Sequence, residues 1–347
     1  MGAQQSIQAG KAKIDVNVDL SHMLLHHFRT ASSPLSLLIG SLCIKHPSLF
    51  GGSEKLDVSC DKGLFDTNVS IAYKRPRPEW LYQQSLHIQH SISPAFGIDS
   101  ADVSGVNLSR FSAGLDLSEP ASSNLSNVTS IQVEHIRPLD NEGRPITRDL
   151  DGFPITHSGK LHDNMLLLKH ETRYAKVDDD CFTRFSLQIE QGLPVLSGWL
   201  IFNRLKFVGT KGINLGPAFL LTSLTGGSIV GDLAPYQAFA IGGQRSVRGY
   251  HDGAVGNGRS CLAINTDLTF PLGKMSEGTF FMDYGSDLGS GHLVPGSPAI
   301  RHGKPGFGFG IGYGVRILSP LGLFQFDYAL NDRLEKNFYF NFSTNAG

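Results

Sequence analysis

From Gly306 to Arg316 the chain alternates without a break: Phe307, Phe309, Ile311, Tyr313 and Val315 take every second position, and Gly306, Gly308, Gly310, Gly312 and Gly314 fill the others before Arg316. Side chains of an extended strand point to opposite faces in turn, so this is a strand with one aromatic face and one face of bare backbone. A strand whose inner row lacks side chains leaves space for another segment to lie against it.

The same period of two recurs along the chain. Ile14, Val16, Val18 and Leu20 oppose Lys13, Asp15, Asn17 and Asp19, and Phe185, Leu187 and Ile189 oppose Arg184, Ser186, Gln188 and Glu190. Comparable segments fall near 35–45, 55–61, 66–74, 81–90, 106–117, 130–136, 165–174, 199–207, 215–224, 262–270, 279–285, 321–328 and 338–342. The count is about 16 strands, one per ~22 residues, which suits membrane-crossing strands of ~9–11 residues with connecting loops. Charged side chains fall repeatedly on one face and aliphatic or aromatic ones on the other. A soluble β-sandwich or β-propeller produces that alternation too, and periodicity alone does not separate them. Numerous long strands need closure in hydrocarbon, where each unpaired backbone group costs several kcal/mol. Aromatics at strand ends and the inward glycine row point the same way. The expected fold is therefore all-β, a transmembrane antiparallel β-barrel.

Composition narrows the function classes. A net charge of −1 leaves no clustered cationic surface for phosphates, so nucleic acid is not an expected partner; the lipid bilayer is. Cys43, Cys60, Cys181 and Cys261 are scattered, with no ligand spacing for a metal, and are read as small apolar residues. Phosphate-cradling and nucleophile-elbow motifs are missing, and the histidines carry no companion acid or nucleophile at a telling spacing. No metal, no cofactor and no enzyme activity is expected. No run approaches the ~20 apolar residues of a spanning helix. The first twelve residues read as a short mobile terminus, whose Met1 to Ser6 fits the N-myristoylation pattern.

One interval breaks the alternation. Between about Thr225 and Gly258 the chain is glycine-rich and carries Gly242-Gly243-Gln244-Arg245-Ser246-Val247-Arg248-Gly249-Tyr250. An arginine between glycines, beside an aromatic, reads as a tight backbone excursion that brings a permanent cation to a chosen place.

These residues carry a resemblance. Val247-Arg248-Gly249-Tyr250, the aromatic strand ending in Asp283-Tyr284-Gly285, and the glycine strand that runs into Arg316 before Asp327-Tyr328 resemble the outer-membrane β-barrel insertase and translocation-pore superfamily, the relatives of BamA, TamA and FhaC. The whole chain looks like its short chloroplast outer-envelope members, which lack POTRA domains. The resemblance implies that the interval at about 225–258, following the eleventh strand, folds into the lumen. It implies that Arg248 pairs there with Asp283, with Asp267 the alternative acceptor. It also implies an outer-envelope pore serving protein insertion or translocation, with barrel precursors or other envelope translocation components as partners. A rectifying solute or ion channel is the alternative.

Overall fold

The computed structural model describes residues 15–18, 38–46, 54–63, 66–75, 77–78, 81–95, 106–120, 124–178, 180–319 and 322–343. The expected terminal interval 1–12 and its myristoylation pattern lie outside them. The strands are β1 (Asp15–Val18), β2 (Leu38–His46), β3 (Lys55–Gly63), β4 (Thr67–Arg75), β5 (Gln83–Pro94), β6 (Asn107–Ser118), β7 (Leu125–Leu139), β8 (Asp163–Val177) and β9 (Cys181–Leu193). They continue with β10 (Phe202–Leu215), β11 (Ala218–Gly231), β12 (Phe239–Ile241), β13 (Gly256–Gly258), β14 (Ser260–Pro271), β15 (Ser276–Ser286), β16 (Phe307–Ser319), β17 (Gly322–Asn331) and β18 (Lys336–Ser343).

Sixteen of these strands form one sheet in chain order, β1 to β11 and then β14 to β18, while β12 and β13 make a separate two-stranded ribbon. Every neighbouring pair is antiparallel, so connections alternate between the two ends. One end carries short turns such as 216–217 and 272–275; the longest connections, 140–162, 232–259 and 287–306, lie at the other. The sheet is the wall of a β-barrel. The long segment 232–259 touches β8 through Tyr236 and Asp163, β10 through Phe239 and Arg204, and β15 through Arg248 and Asp283, so one stretch of chain spans the inside of the curve.

The faces decide between membrane barrel and soluble sandwich. On β15, Phe280, Met282 and Tyr284 point outward and are 56%, 52% and 40% exposed, while Thr279, Phe281 and Asp283 between them are buried. The apolar row faces the surroundings and the polar row is covered. A water-soluble sandwich has the reverse arrangement, and here there is a single wall rather than two packed sheets.

Burial inside the wall concentrates at the long-loop end. Ile155 and Leu200 from loops, Leu233, Ala234, Val247 and Val255 from the inserted segment, and Ile136, Met165 and Ile229 from strand ends form one buried cluster. Loop 140–162 is tied to loop 287–306 by Arg301, which pairs with Asp149 at 2.9 Å and Asp151 at 2.8 Å and lies over the Phe153 ring. The long loops thus form a dry cap.

The expected boundaries of the glycine-rich interval need correction. Thr225 to Gly231 belong to β11, paired with β10 along the whole stretch and with β14 through Ser228, so the excursion begins at 232 rather than about 225. The glycines there serve packing: a Cβ on Gly226 would meet the Phe207 ring, and one on Gly227 the Phe239 ring.

Candidate functional site

The inserted segment leaves the wall at 232, forms the β12–β13 ribbon, and between those short strands turns sharply. Gly242, Gly243 and Gly249 have φ of 117°, 92° and 98°, a region that a side chain disfavours. The Gly243 N–H donates to the Val247 carbonyl at 3.1 Å and closes the turn. Beneath it Ile241 and Val247 are buried against Gly285, where a Cβ would overlap both side chains. The apolar underside sets the depth at which the next residue enters the wall.

That residue is Arg248. Its Nε donates to Asp283 Oδ2 at 2.6 Å and its Nη2 to Asp283 Oδ1 at 2.8 Å, a fork onto one carboxylate. Its backbone N–H also donates to Asp283 Oδ2, at 3.0 Å. Nη2 reaches Asp267 Oδ1 at 2.5 Å, and Nη1 lies 3.9 Å from Asp327 Oδ2. The guanidinium stacks 3.7 Å above the Phe281 ring. Side-chain exposure is 7% for Arg248 and 0% for Asp283, so water does little of the solvating. Burial works against the charged guanidinium, but the hydrogen bond and charge of Asp283, joined by Asp267, outweigh it and push its pKa above the ordinary value.

The strands explain this convergence. Asp267 on β14, Phe281 and Asp283 on β15, and Asp327 on β17 all share the inward parity of their strands. Between β15 and β17 runs β16, whose inward row is glycine. A Cβ on Gly310 would overlap the Arg248 carbonyl oxygen, and one on Gly308 would press on Val255 and Tyr250. The bare row noted in the sequence is the surface that receives the loop. Arg316, at the end of that row, donates to Asp267 Oδ2 at 3.1 Å, so Asp267 bridges two cations.

The neighbours of Arg248 are anchored separately. The Gly249 N–H donates to the Tyr339 hydroxyl at 2.8 Å, and that hydroxyl donates to the Tyr250 carbonyl at 2.9 Å. Asn337 donates to the Gly249 carbonyl at 2.5 Å, and Asn265 to the Ser246 carbonyl at 2.6 Å. The Tyr250 hydroxyl donates to Asp332; burial first, and this bond second, push its pKa up to about 12.

The two acceptors implied for Arg248 are therefore both engaged, Asp283 by a fork and Asp267 by a single bond. Arg316 and Asp327, named in the sequence only as carriers of the resemblance, are members of the site, and so are Phe281 and Tyr339, which were given no place in it. Strand parity was the signal for Phe281, which lies two residues from Asp283; nothing in the sequence announced Tyr339.

The wall facing the loop differs. Inward side chains of β3 to β10 carry both signs of charge in pairs, Asp57 with Lys74 at 3.2 Å, Lys169 with Glu134 at 3.0 Å, and Arg204 with Glu190 at 3.7 Å, and the His87 ring lies 3.1 Å from Asp116. One half of the barrel is lined by loop and glycine, the other by a ladder of paired side chains.

Residues 48–345 match the model of the Omp85 superfamily domain. The chain is 64% identical to outer envelope protein 39, chloroplastic, of Arabidopsis thaliana, covering 98% of both proteins. It is 42% identical to outer envelope protein 80, chloroplastic, of the same plant, covering 89% of this chain and 43% of that relative. Among solved structures, BamA from Haemophilus ducreyi lacking POTRA domains 1–3 superimposes with a TM-score of 0.70 at 16% identity, over 92% of this chain and 69% of that one.

Proposed function

Because this chain belongs to the Omp85 superfamily and is a β-barrel of the chloroplast outer envelope, we propose that it acts there in protein insertion or translocation, with precursor polypeptides as its clients. The observation that carries this reading is the division of the lumen. The clamp at Arg248 fixes the inserted segment to β14 through β18, which leaves the charge-laddered wall of β3 to β10 facing the remaining space. Paired charges of both signs keep such a surface wet without a strong field of either sign, as suits passage or folding of polypeptides of mixed charge. In organello crosslinking tests this. Photoreactive groups on the inward face of β8 or β9, or on the terminal strands, should capture newly imported barrel precursors; consistent absence of precursor adducts refutes the client assignment.

One observation supports a second reading, a rectifying solute or ion channel. Among the described residues the longest connections, 140–162, 232–259 and 287–306, all lie at one end, so the two mouths differ. Planar-bilayer recordings separate the two readings. A steady, voltage-asymmetric current without precursor adducts supports the channel, and no current from protein that resists carbonate extraction refutes it.

A further inference from the structure

Beside the clamp, between the turn and the wall, lies a cavity of about 180 Å³. Gln244, Arg245 and Arg248 line it from the turn, and Leu221, Ser223, Asn265 and Asp267 from β11 and β14. The wall residues share the inward face, because Leu221 stands opposite Asp267 and Ser223 opposite Asn265 in the β11–β14 register. The turn is closed and tied to them. The Gly243 N–H donates to the Val247 carbonyl and the Ser246 N–H to the Gly243 carbonyl, both at 3.1 Å, while Asn265 on β14 donates to the Ser246 carbonyl at 2.6 Å. Gln244 and Arg245 are thereby presented at the tip of a fixed loop.

The charges around the cavity favour an anion. Arg248 engages Asp283 and Asp267, and Arg316 takes the second oxygen of Asp267, so this carboxylate meets two guanidinium groups and does not repel an anion as a lone acid would. Arg245 is exposed and adds a further cation from the turn side. A guanidinium offers its N–H groups as a planar fork that matches a carboxylate. The Gln244 amide and the Ser223 hydroxyl stand by as neutral hydrogen-bonding groups, and Leu221 supplies an apolar patch. That patch accepts a short methylene stem, which an inorganic anion lacks.

We propose that this cavity binds a short aliphatic carboxylate, forked onto Arg245 with its methylene stem on Leu221. The acidic side chain of a polypeptide in the lumen and a free small organic acid share that chemistry, so the site holds under either function considered above. An occupant touches turn and wall at once. It therefore binds the docked segment and not the released one, and its binding keeps the segment in place. By mass action, ligand at about nine times its Kd makes release about tenfold rarer.

Calorimetric titration of the full chain in detergent micelles tests this, with four probes: N-acetyl-glutamate α-amide, whose charge is the side-chain carboxylate alone, its glutamine analogue, butyrate and inorganic phosphate. The glutamate derivative should bind saturably, and about 10–100-fold more weakly to Arg245→Gln; the glutamine analogue should lose as much on the unmodified protein. Tighter binding of the glutamate derivative than of butyrate identifies a polypeptide side chain as the occupant, and butyrate binding as tightly or better identifies the free acid. Absence of saturable binding, phosphate binding as tight as that of the glutamate derivative, or unchanged affinity in Arg245→Gln overturns the proposal. The unmodified protein gives a second reading if that variant does not fold. With the glutamate derivative at about nine times its Kd, proteolysis of 242–252 should slow about tenfold, and unchanged cleavage overturns the assignment to this cavity.

Discussion

Arg248→Ala removes one guanidinium from three carboxylates. Asp283 and Asp327 have side chains 0% and 1% exposed, Asp267 12%, and Arg316 remains bonded to Asp267. Stripping one partner from a buried pair costs about 3–5 kcal/mol, with the small exposure of these groups giving little relief from solvent. Other bonds hold the segment in place: the Tyr339 hydroxyl, Asn337 and Asn265 each contribute about 1 kcal/mol, and Val247 stays seated on Gly285. The segment should therefore remain docked most of the time but open about 10² to 4 × 10³ times more often, since 1.4 kcal/mol is a factor of ten. Single-channel recording in planar bilayers, with limited proteolysis of 242–252 on the same preparation, reads both quantities. Frequent excursions to a larger conductance and faster cleavage are expected. Arg248→Lys should fall between, because an ammonium keeps the charge but neither forks onto Asp283 nor stacks flat on Phe281. Equal opening and equal cleavage in Arg248→Ala and the unmodified protein would refute the electrostatic clamp and leave the apolar underside as the holdfast.

Four further outcomes follow from the same geometry. Gly310→Val should displace the segment about as effectively as Arg248→Ala, since a Cβ at that position overlaps the Arg248 carbonyl; protease access at 242–252 checks it. Tyr339→Phe leaves the Gly249 N–H without its acceptor in a buried place and should weaken docking by ~1–3 kcal/mol, read as a lower denaturation midpoint for the segment. Arg301→Ala strips Asp149 of its ion pair and uncovers Phe153, so loop 140–162 should become protease-sensitive while the strand content by circular dichroism stays constant. Tyr250 supplies a pH test. Its folded pKa of about 12 exceeds the usual ~10, so its contribution is complete below pH ~10 and is lost as pH rises toward about 12. Proteolytic release of the segment should rise over that window, and Tyr250→Phe should reduce the pH dependence, leaving the share of Tyr236, whose buried hydroxyl on Asp163 also titrates above its ordinary value.

Much of this architecture was legible because barrel strands obey one simple rule. Alternation placed the strands, and the greasy and charged rows placed the two faces, but which face met water had to come from exposure at Phe280, Met282 and Asp283. The glycine row of β16 announced a visitor without saying which. Thr225 to Gly231 misled because glycine reads as loop, whereas here Gly226 and Gly227 are strand positions whose missing side chains make room for the rings of Phe207 and Phe239. Sequence proximity carries no hint of the cap: Arg301 meets Asp149 only because two long loops rise from the same end of the barrel.

Residue-resolved hydrogen exchange of the full chain in lipid vesicles tests the central claim most directly. The Arg248 N–H is bonded to Asp283 and the Gly249 N–H to Tyr339, both away from water. If the segment is clamped inside the barrel, those two amides should exchange within about a decade of the Phe281 amide in the middle of β15. Exchange at the rate of the open loops, with β15 still protected, would show an intact barrel whose loop is not held, and would contradict the account.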